Sequence, residues 1–127
     1  MNVIRCLFGT TPFALKAQDI DRFCSDYDDA LLLFDVQREL NIQDVKSKNP
    51  VYAILKDGET ALRLDALIDY REIPTEHLAT LPAVLTTHIS PILDRKVILS
   101  EDGLLMLVIN THAIVTMKED AHGHFFN

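Results

Sequence analysis

Apolar and polar positions along the chain fall into short blocks, and the blocks recur. RCLFGTTPFALKAQDI near the N-terminus and the later YAILKDGETALRLDAL share one layout, an apolar strand, a turn and a second apolar strand. Ala14-Leu15-Lys16 and Ala61-Leu62-Arg63 hold equivalent places 47 residues apart. Each copy is followed, at a different distance, by an apolar strand that runs into a short helix, LLLFDVQREL from Leu31 and LMLVINTHAI from Leu105. Repeated strand-turn-strand units predict two similar β lobes rather than one sheet with helices on both faces.

The remaining elements follow from turn residues and periodicity. Val3 to Phe8 and Phe13 to Ala17 read as strands around Gly9-Thr10-Thr11-Pro12. Gln18 to Phe23 extends the second strand or forms one helical turn, and Ser25 to Asp29 is an acidic loop. Asp35 precedes a short helix over Val36 to Ile42. Val51 to Leu55 and Thr60 to Leu67 form a hairpin, because Asp57-Gly58 supplies the positive φ angles of a tight turn. Thr75 to Leu81 is a helical turn, and Pro82 and Pro91 bracket an irregular crossover. Val97 to Leu99 and Leu104 to Ile109 pair around Glu101-Asp102-Gly103, and a helix over Thr111 to Met117 follows. LLLF and LLMLVI are uniformly apolar, so burial on both faces is expected. The polar VKSKNP, Val45 to Pro50, divides the single domain of 1–127 into a first lobe over about 1–47 and a second over about 48–117, with 118–127 a loose tail.

Composition narrows the partners. The 127 residues are 48% apolar and 24% charged, typical of a folded domain that needs no disulfide or metal. Nineteen acids against 12 bases give a net charge of −7. Without a basic stripe this argues against nucleic acid and against an anionic membrane surface. No apolar run spans a bilayer, and MNVIRCLFG lacks the features of a signal peptide, so a cytoplasmic protein is expected. Cys6 and Cys24 have no metal-ligand spacing and read as reduced structural residues, with Cys6 in a strand core.

Catalytic and cofactor chemistry finds little support. His77, His88, His112, His122 and His124 lack the helical i, i+4 spacing of zinc hydrolases, and His122-Gly123-His124 sits in the tail. No Gly-x-Ser-x-Gly elbow occurs, and the four glycines build no phosphate loop. Asp35 and Asn110 stand at repeat-equivalent strand-helix junctions and read as N-caps, each worth about 1 kcal/mol. Asp65 and Asp69 could face one way on a strand and do acid–base work, but a solvent-facing strand edge explains them as well. The expectation is a non-enzyme with no cofactor and no metal.

In the second half, ALRLDALIDYREIPTEHLATLP sets Leu64-Asp65, Leu67-Ile68-Asp69-Tyr70 and Pro82 in order, and DGLLMLVINTHAIV sets Gly103, Ile109 and Asn110. On these residues the chain resembles the CheW-like domain of bacterial chemosensory adaptors. FALKAQDIDRF and LLLFDVQRELN resemble the corresponding first-lobe strands and Asp-capped helix, so about Val3 to Val115 is covered. The resemblance implies an all-β fold with short helices, two small five-stranded β-barrels around a common core. Two departures stand out. The connection that usually ends in an Asn-Leu-Arg-Gly-like motif shrinks to CSDYDDA, which could leave the first lobe reduced. Where the family carries an acidic residue two after an aliphatic one, this chain has Arg22 after Ile20.

The implied role is a non-catalytic adaptor in two-component signalling. Its second lobe would contact the regulatory domain of a histidine kinase, and the groove between lobes would contact a chemoreceptor. Ile68, Tyr70 and Ile73 are the expected hydrophobic contact residues of the second lobe, and Ile20 and Arg22 mark the altered receptor surface of the first. Two other readings are a small-molecule-binding module using the groove between the lobes, and a hydrolase built on Asp65, Asp69 and a histidine.

Overall fold

The hairpins read from the sequence form, and their turns set them. In the computed structural model, which describes residues 1–43, 46–100, 103–119 and 125–126, β5 (Val51–Leu55) and β6 (Thr60–Leu64) pair antiparallel around Asp57-Gly58. Gly58 takes φ +73°, where a side chain would be strained. The Asp57 carboxylate accepts the Glu59 and Thr60 amides and the Thr60 hydroxyl, at 3.0, 2.9 and 2.6 Å. β1 (Asn2–Phe8) and β2 (Thr11–Lys16) form the equivalent hairpin in the first copy. β9 (Leu93–Leu99) and β10 (Leu105–Ile109) form the last; Glu101 and Asp102 of its expected turn lie outside the described residues.

Five further strands, β3 (Ile20–Cys24), β4 (Leu32–Phe34), β7 (Ala66–Glu72), β8 (Leu78–Thr80) and β11 (Phe125–Phe126), complete two sheets among the described residues. Their orders are β7-β1-β2-β10-β9-β8 and β11-β4-β6-β5-β3. Where two five-stranded barrels were expected, the described residues form one sheet of six strands and one of five.

The repeat is present but crossed. The first hairpin, β1-β2, is flanked by β7 and, in parallel, by β10, both of which follow the second hairpin. The second, β5-β6, is flanked by β3 and, in parallel, by β4, both of which follow the first. Each hairpin is thus completed by the strands of the other copy. This corrects the division at residues 47 and 48. The chain changes sheet after β2, after β6 and again between β10 and β11, whereas VKSKNP joins β4 to β5 within one sheet; Val45 itself lies outside the described residues.

The helices are short and capped where the sequence places them. Asp35 accepts the Arg38 amide at 3.1 Å at the start of α1 (Val36–Glu39). Between Pro82 and Pro91 the crossover contains α2 (Ala83–Thr86). Asn110 accepts the Ala113 amide at 3.1 Å at the start of α3 (Thr111–Glu119). Gln18 to Phe23 resolves into a 3-10 turn, Ala17–Asp19, and β3; Thr75–His77 is a 3-10 turn leading into β8. The tail expected to be loose from residue 118 is held at two places. Lys118 donates to Asp57 and Glu59 at 2.9 and 2.7 Å, and Phe125–Phe126 pairs with β4. His122, Gly123 and His124 lie outside the described residues.

One core joins the sheets. Phe8, Phe13 and Leu15 of the first hairpin pack with Leu55, Leu62 and Leu64 of the second, together with Phe34, Ile109 and Ile114. Phe8 and Phe13 meet edge to face, centroids 5.6 Å apart. Cys6 lies in this core as expected, and burial pushes its thiol up to about 12. A smaller cluster, Val3, Ala14, Ile73, Ile98 and Val108, belongs to the six-stranded sheet; Leu31, Ile54 and Ala61 belong to the other. Uniform burial of the apolar strands does not hold. Leu32 and Leu33 are half-buried, and Leu104 and Leu105 are exposed where the β9-β10 hairpin begins.

Because each sheet needs strands from both halves, residues 48–127 alone should not fold. A fragment of that span is expected to show a collapsed, poorly dispersed amide NMR spectrum; a native-like spectrum would contradict the crossed assembly.

Candidate partner-binding surface

β7 is the edge of the six-stranded sheet, paired only with β1 among the described residues. It reaches that place through Asp65, the single residue between β6 and β7. The Asp65 carboxylate is buried and accepts the Gly9 and Ser47 amides, each at 2.6 Å, and the Arg63 guanidinium at 2.9 Å. Its own amide donates to the Leu7 carbonyl at 2.8 Å. Burial alone would raise this carboxyl; the hydrogen bonds from Ser47, Gly9 and Arg63 outweigh it and hold the group below its ordinary value.

Along β7 the apolar side chains are presented rather than packed away. Leu67, Ile68 and Tyr70 are 40, 43 and 60% exposed. Asp69, between them, takes a bidentate grip from Arg5, at 2.6 and 2.5 Å, and a contact from Arg71 at 3.1 Å. These pairings, the Arg5 hydrogen bonds first, lower the Asp69 carboxyl to about 2. Beside the edge runs a groove of about 1020 Å³, lined by the apolar Ile68, Ile98, Leu105 and Met106 and by Arg5, Arg71 and His77. Its lining comes from the strands and connections of the six-stranded sheet.

The expected contact residues separate into surface and core. Ile68 and Tyr70 share the β7 edge. Ile73, just beyond it, is buried in the small cluster with Val3 and Ile98, because its amide donates to the Met1 carbonyl and draws the chain inward. Ile20 is buried in the common core opposite Leu55. Arg22 is exposed on β3, the edge of the other sheet, and pairs with Asp21 at 2.8 Å. Ile20 and Ile73 are thus corrected from surface to core positions.

Asp65 and Asp69 do not form the acid–base pair that their spacing allows. Each is committed to its own cations and amides, and Asp65 is not solvent-facing. Among the described residues, no group of three or more His, Cys, Asp or Glu is placed to hold a metal ion. Sequence reasoning missed the role of Asp65 because its partners, Gly9 and Ser47, lie 56 and 18 residues away. It also missed Leu104 and Leu105, whose apolar character reads as core in any periodicity.

No family model and no curated protein matches the chain. Among solved structures, the fold recurs in the crystal structure of the scaffolding protein TtCheW from Thermoanaerobacter tengcongensis. The two are 14% identical with a TM-score of 0.68, over 85% of this chain and 82% of that one. At that identity the likeness establishes the fold, which is CheW-like, mostly β with two sheets and short helices.

Removing the Asp65 carboxylate strands the buried Gly9 amide, the half-buried Ser47 amide and a guanidinium. Asp65→Ala should cost about 3 kcal/mol in urea denaturation at neutral pH. The sign of the pH effect follows from the lowered carboxyl: its stabilisation is present above the ordinary carboxylate value and fades as pH falls through the folded one. Asp65→Asn should therefore flatten the loss of stability below about pH 4 relative to wild type.

Proposed function

We propose that this chain is a non-catalytic adaptor of bacterial chemosensory signalling that docks the regulatory domain of a histidine kinase. The observation that carries the reading is an edge strand, β7, along which Leu67, Ile68 and Tyr70 are exposed between charged residues. An exposed edge offers backbone pairing, and neighbouring apolar side chains supply the buried contact that fixes affinity. The CheW-like fold, shared with a scaffolding protein, supports the same assignment. It implies a cytoplasmic location. On this reading each sheet is one wall of a small barrel, and a chemoreceptor contact would involve Arg22, since Ile20 is buried.

A second reading is favoured by one feature, the concave and largely apolar groove of about 1020 Å³, which would suit a small molecule. Tyr70 does not line that groove, whereas Leu105 does. The two readings therefore respond to different substitutions.

Calorimetry with the regulatory region of a chemosensory histidine kinase from the same organism tests the proposal. Ile68→Asp and Tyr70→Asp should each weaken binding by at least about 30-fold, the range of interface hot spots, with circular dichroism unchanged. Absence of binding by the wild type at high micromolar concentration would overturn the kinase assignment. Loss on Leu105→Trp with Tyr70→Asp unaffected would move the site into the groove.

A further inference from the structure

The pairing of β7 with β1 fixes which of its main-chain groups face outward. Just beyond the ends of both strands, Met1 and Ile73 are joined twice. The Ile73 amide donates to the Met1 carbonyl at 2.7 Å, and the Met1 amino group donates to the Ile73 carbonyl at 3.0 Å. Joined and unjoined positions alternate along an antiparallel pair. Arg71 and Asp69, opposite Val3 and Arg5, therefore turn their main-chain groups toward β1, and Glu72 and Tyr70 turn theirs away from it. The alternation is unbroken over this stretch, because the register shift falls beyond Arg5, where Ile68 is the extra residue of a bulge. Tyr70, 60% exposed, thus directs its main-chain groups to the free edge beside an exposed ring.

These directions restrict what can pair with the edge. Between identical antiparallel strands an outward-facing residue must meet an outward-facing one, so two copies align on a residue and not between two. Alignment on Asp69, Arg71 or Glu72 sets that charge against its own copy, which is destabilising. Alignment on Ile68 falls on the bulge. Alignment on Tyr70 sets each Asp69 opposite the other copy's Arg71, once on each side of the axis. Both then hold unjoined positions, where opposite side chains come closest. The Arg71 side chain is 57% exposed, and the Asp69 side chain is 31% exposed and held in place by Arg5. In this one register the strand is charge-complementary to itself.

We propose that β7 is a self-association edge, on which a second copy of the chain pairs antiparallel about Tyr70, with Asp69 and Arg71 forming two reciprocal ion pairs. The pairing runs from Ile68 to Glu72 and stops where Ile73 turns into the core. So short a contact gives a weak, concentration-dependent dimer of the transient class. The second copy covers the edge assigned to the kinase, so self-pairing and kinase docking exclude one another. Self-pairing needs no kinase and neither do its measurements, so it can fail while the kinase reading stands.

Sedimentation equilibrium from low micromolar to near-millimolar concentration should show the wild type passing from monomer to dimer. Arg71→Asp leaves the Arg5 grip on Asp69 intact but sets carboxylate against carboxylate on both sides of the axis. It should weaken the dimer at least about tenfold. Arg5→Asp combined with Asp69→Arg inverts the grip within the chain and should weaken the dimer as much, by repulsion between cations. An equimolar mixture of the two variants restores both ion pairs and should dimerise within about threefold of wild type. Circular dichroism checks each fold. In a Cys24→Ser background, Tyr70→Cys in a glutathione redox buffer should link into dimers at least about tenfold faster than Glu72→Cys. Only position 70 faces its own copy, at the roughly 5.5 Å of a joined pair, within disulfide reach. This comparison decides the register even if the inverted variant does not fold. A wild type that stays monomeric throughout overturns the dimer. Variants that dimerise as wild type does, a mixture of folded variants that recovers nothing, or equal linkage at positions 70 and 72 overturns the pairing about Tyr70.

Discussion

The buried carboxylate of Asp65 sits where the chain passes from one sheet to the other, and the arrangement of both sheets depends on it. One residue separates β6 from β7. A passage that short exposes main-chain groups to the interior, and these must find partners within the protein. Asp65 gathers the β1-β2 turn through Gly9, the segment before β5 through Ser47, and its own strand through Arg63. The charge is buried but compensated by three donors, the condition under which a buried carboxylate is tolerated. β7 leaves this anchor along β1 and becomes the outer strand of its sheet.

The other crossing is built in the same way with fewer bonds. After β2 the chain turns through Ala17–Asp19 and enters β3 in the five-stranded sheet. There Asp19 accepts the Thr111 hydroxyl at 2.9 Å from the start of α3, and its carbonyl accepts the Lys56 amide at 3.0 Å. An aspartate thus stands at each of these two sheet changes, and each binds elements of the other repeat copy. The crossed pairing of the two hairpins is held at these two passages as well as by the shared apolar core.

Local features of the fold were legible in the sequence, and its assembly was not. Asp57-Gly58, the caps Asp35 and Asn110, and the apolar runs of the hairpins act through neighbours a few residues away, so their signals sit in the local pattern. The repeat was also visible, since Ala14-Leu15-Lys16 and Ala61-Leu62-Arg63 fall in the central strands β2 and β6. Which copy completes which hairpin has no local signature. Parallel pairing of β10 with β2 and of β4 with β6 obeys the same apolar pattern as an uncrossed arrangement would. The surface was half legible for a related reason. Ile68 and Ile73 look alike as sequence, yet one lies on an edge strand and the other is drawn into the core by the bond to Met1.

The repeat supplies its own control for function. β3 and β7 occupy equivalent places, each the outer strand beside the first strand of the other copy's hairpin. Folding requires both edges to exist but requires neither to be apolar, and an apolar edge carries a risk of unwanted pairing. On β3 the exposed positions are Asp21 and Arg22, paired with each other. On β7 they include Leu67, Ile68 and Tyr70, with Asp69 and its two arginines restricting which strands can approach. Structural need is the same at both edges and cannot account for the difference between them. The apolar character of β7 is what the proposed docking at this edge, and not at its counterpart, would explain.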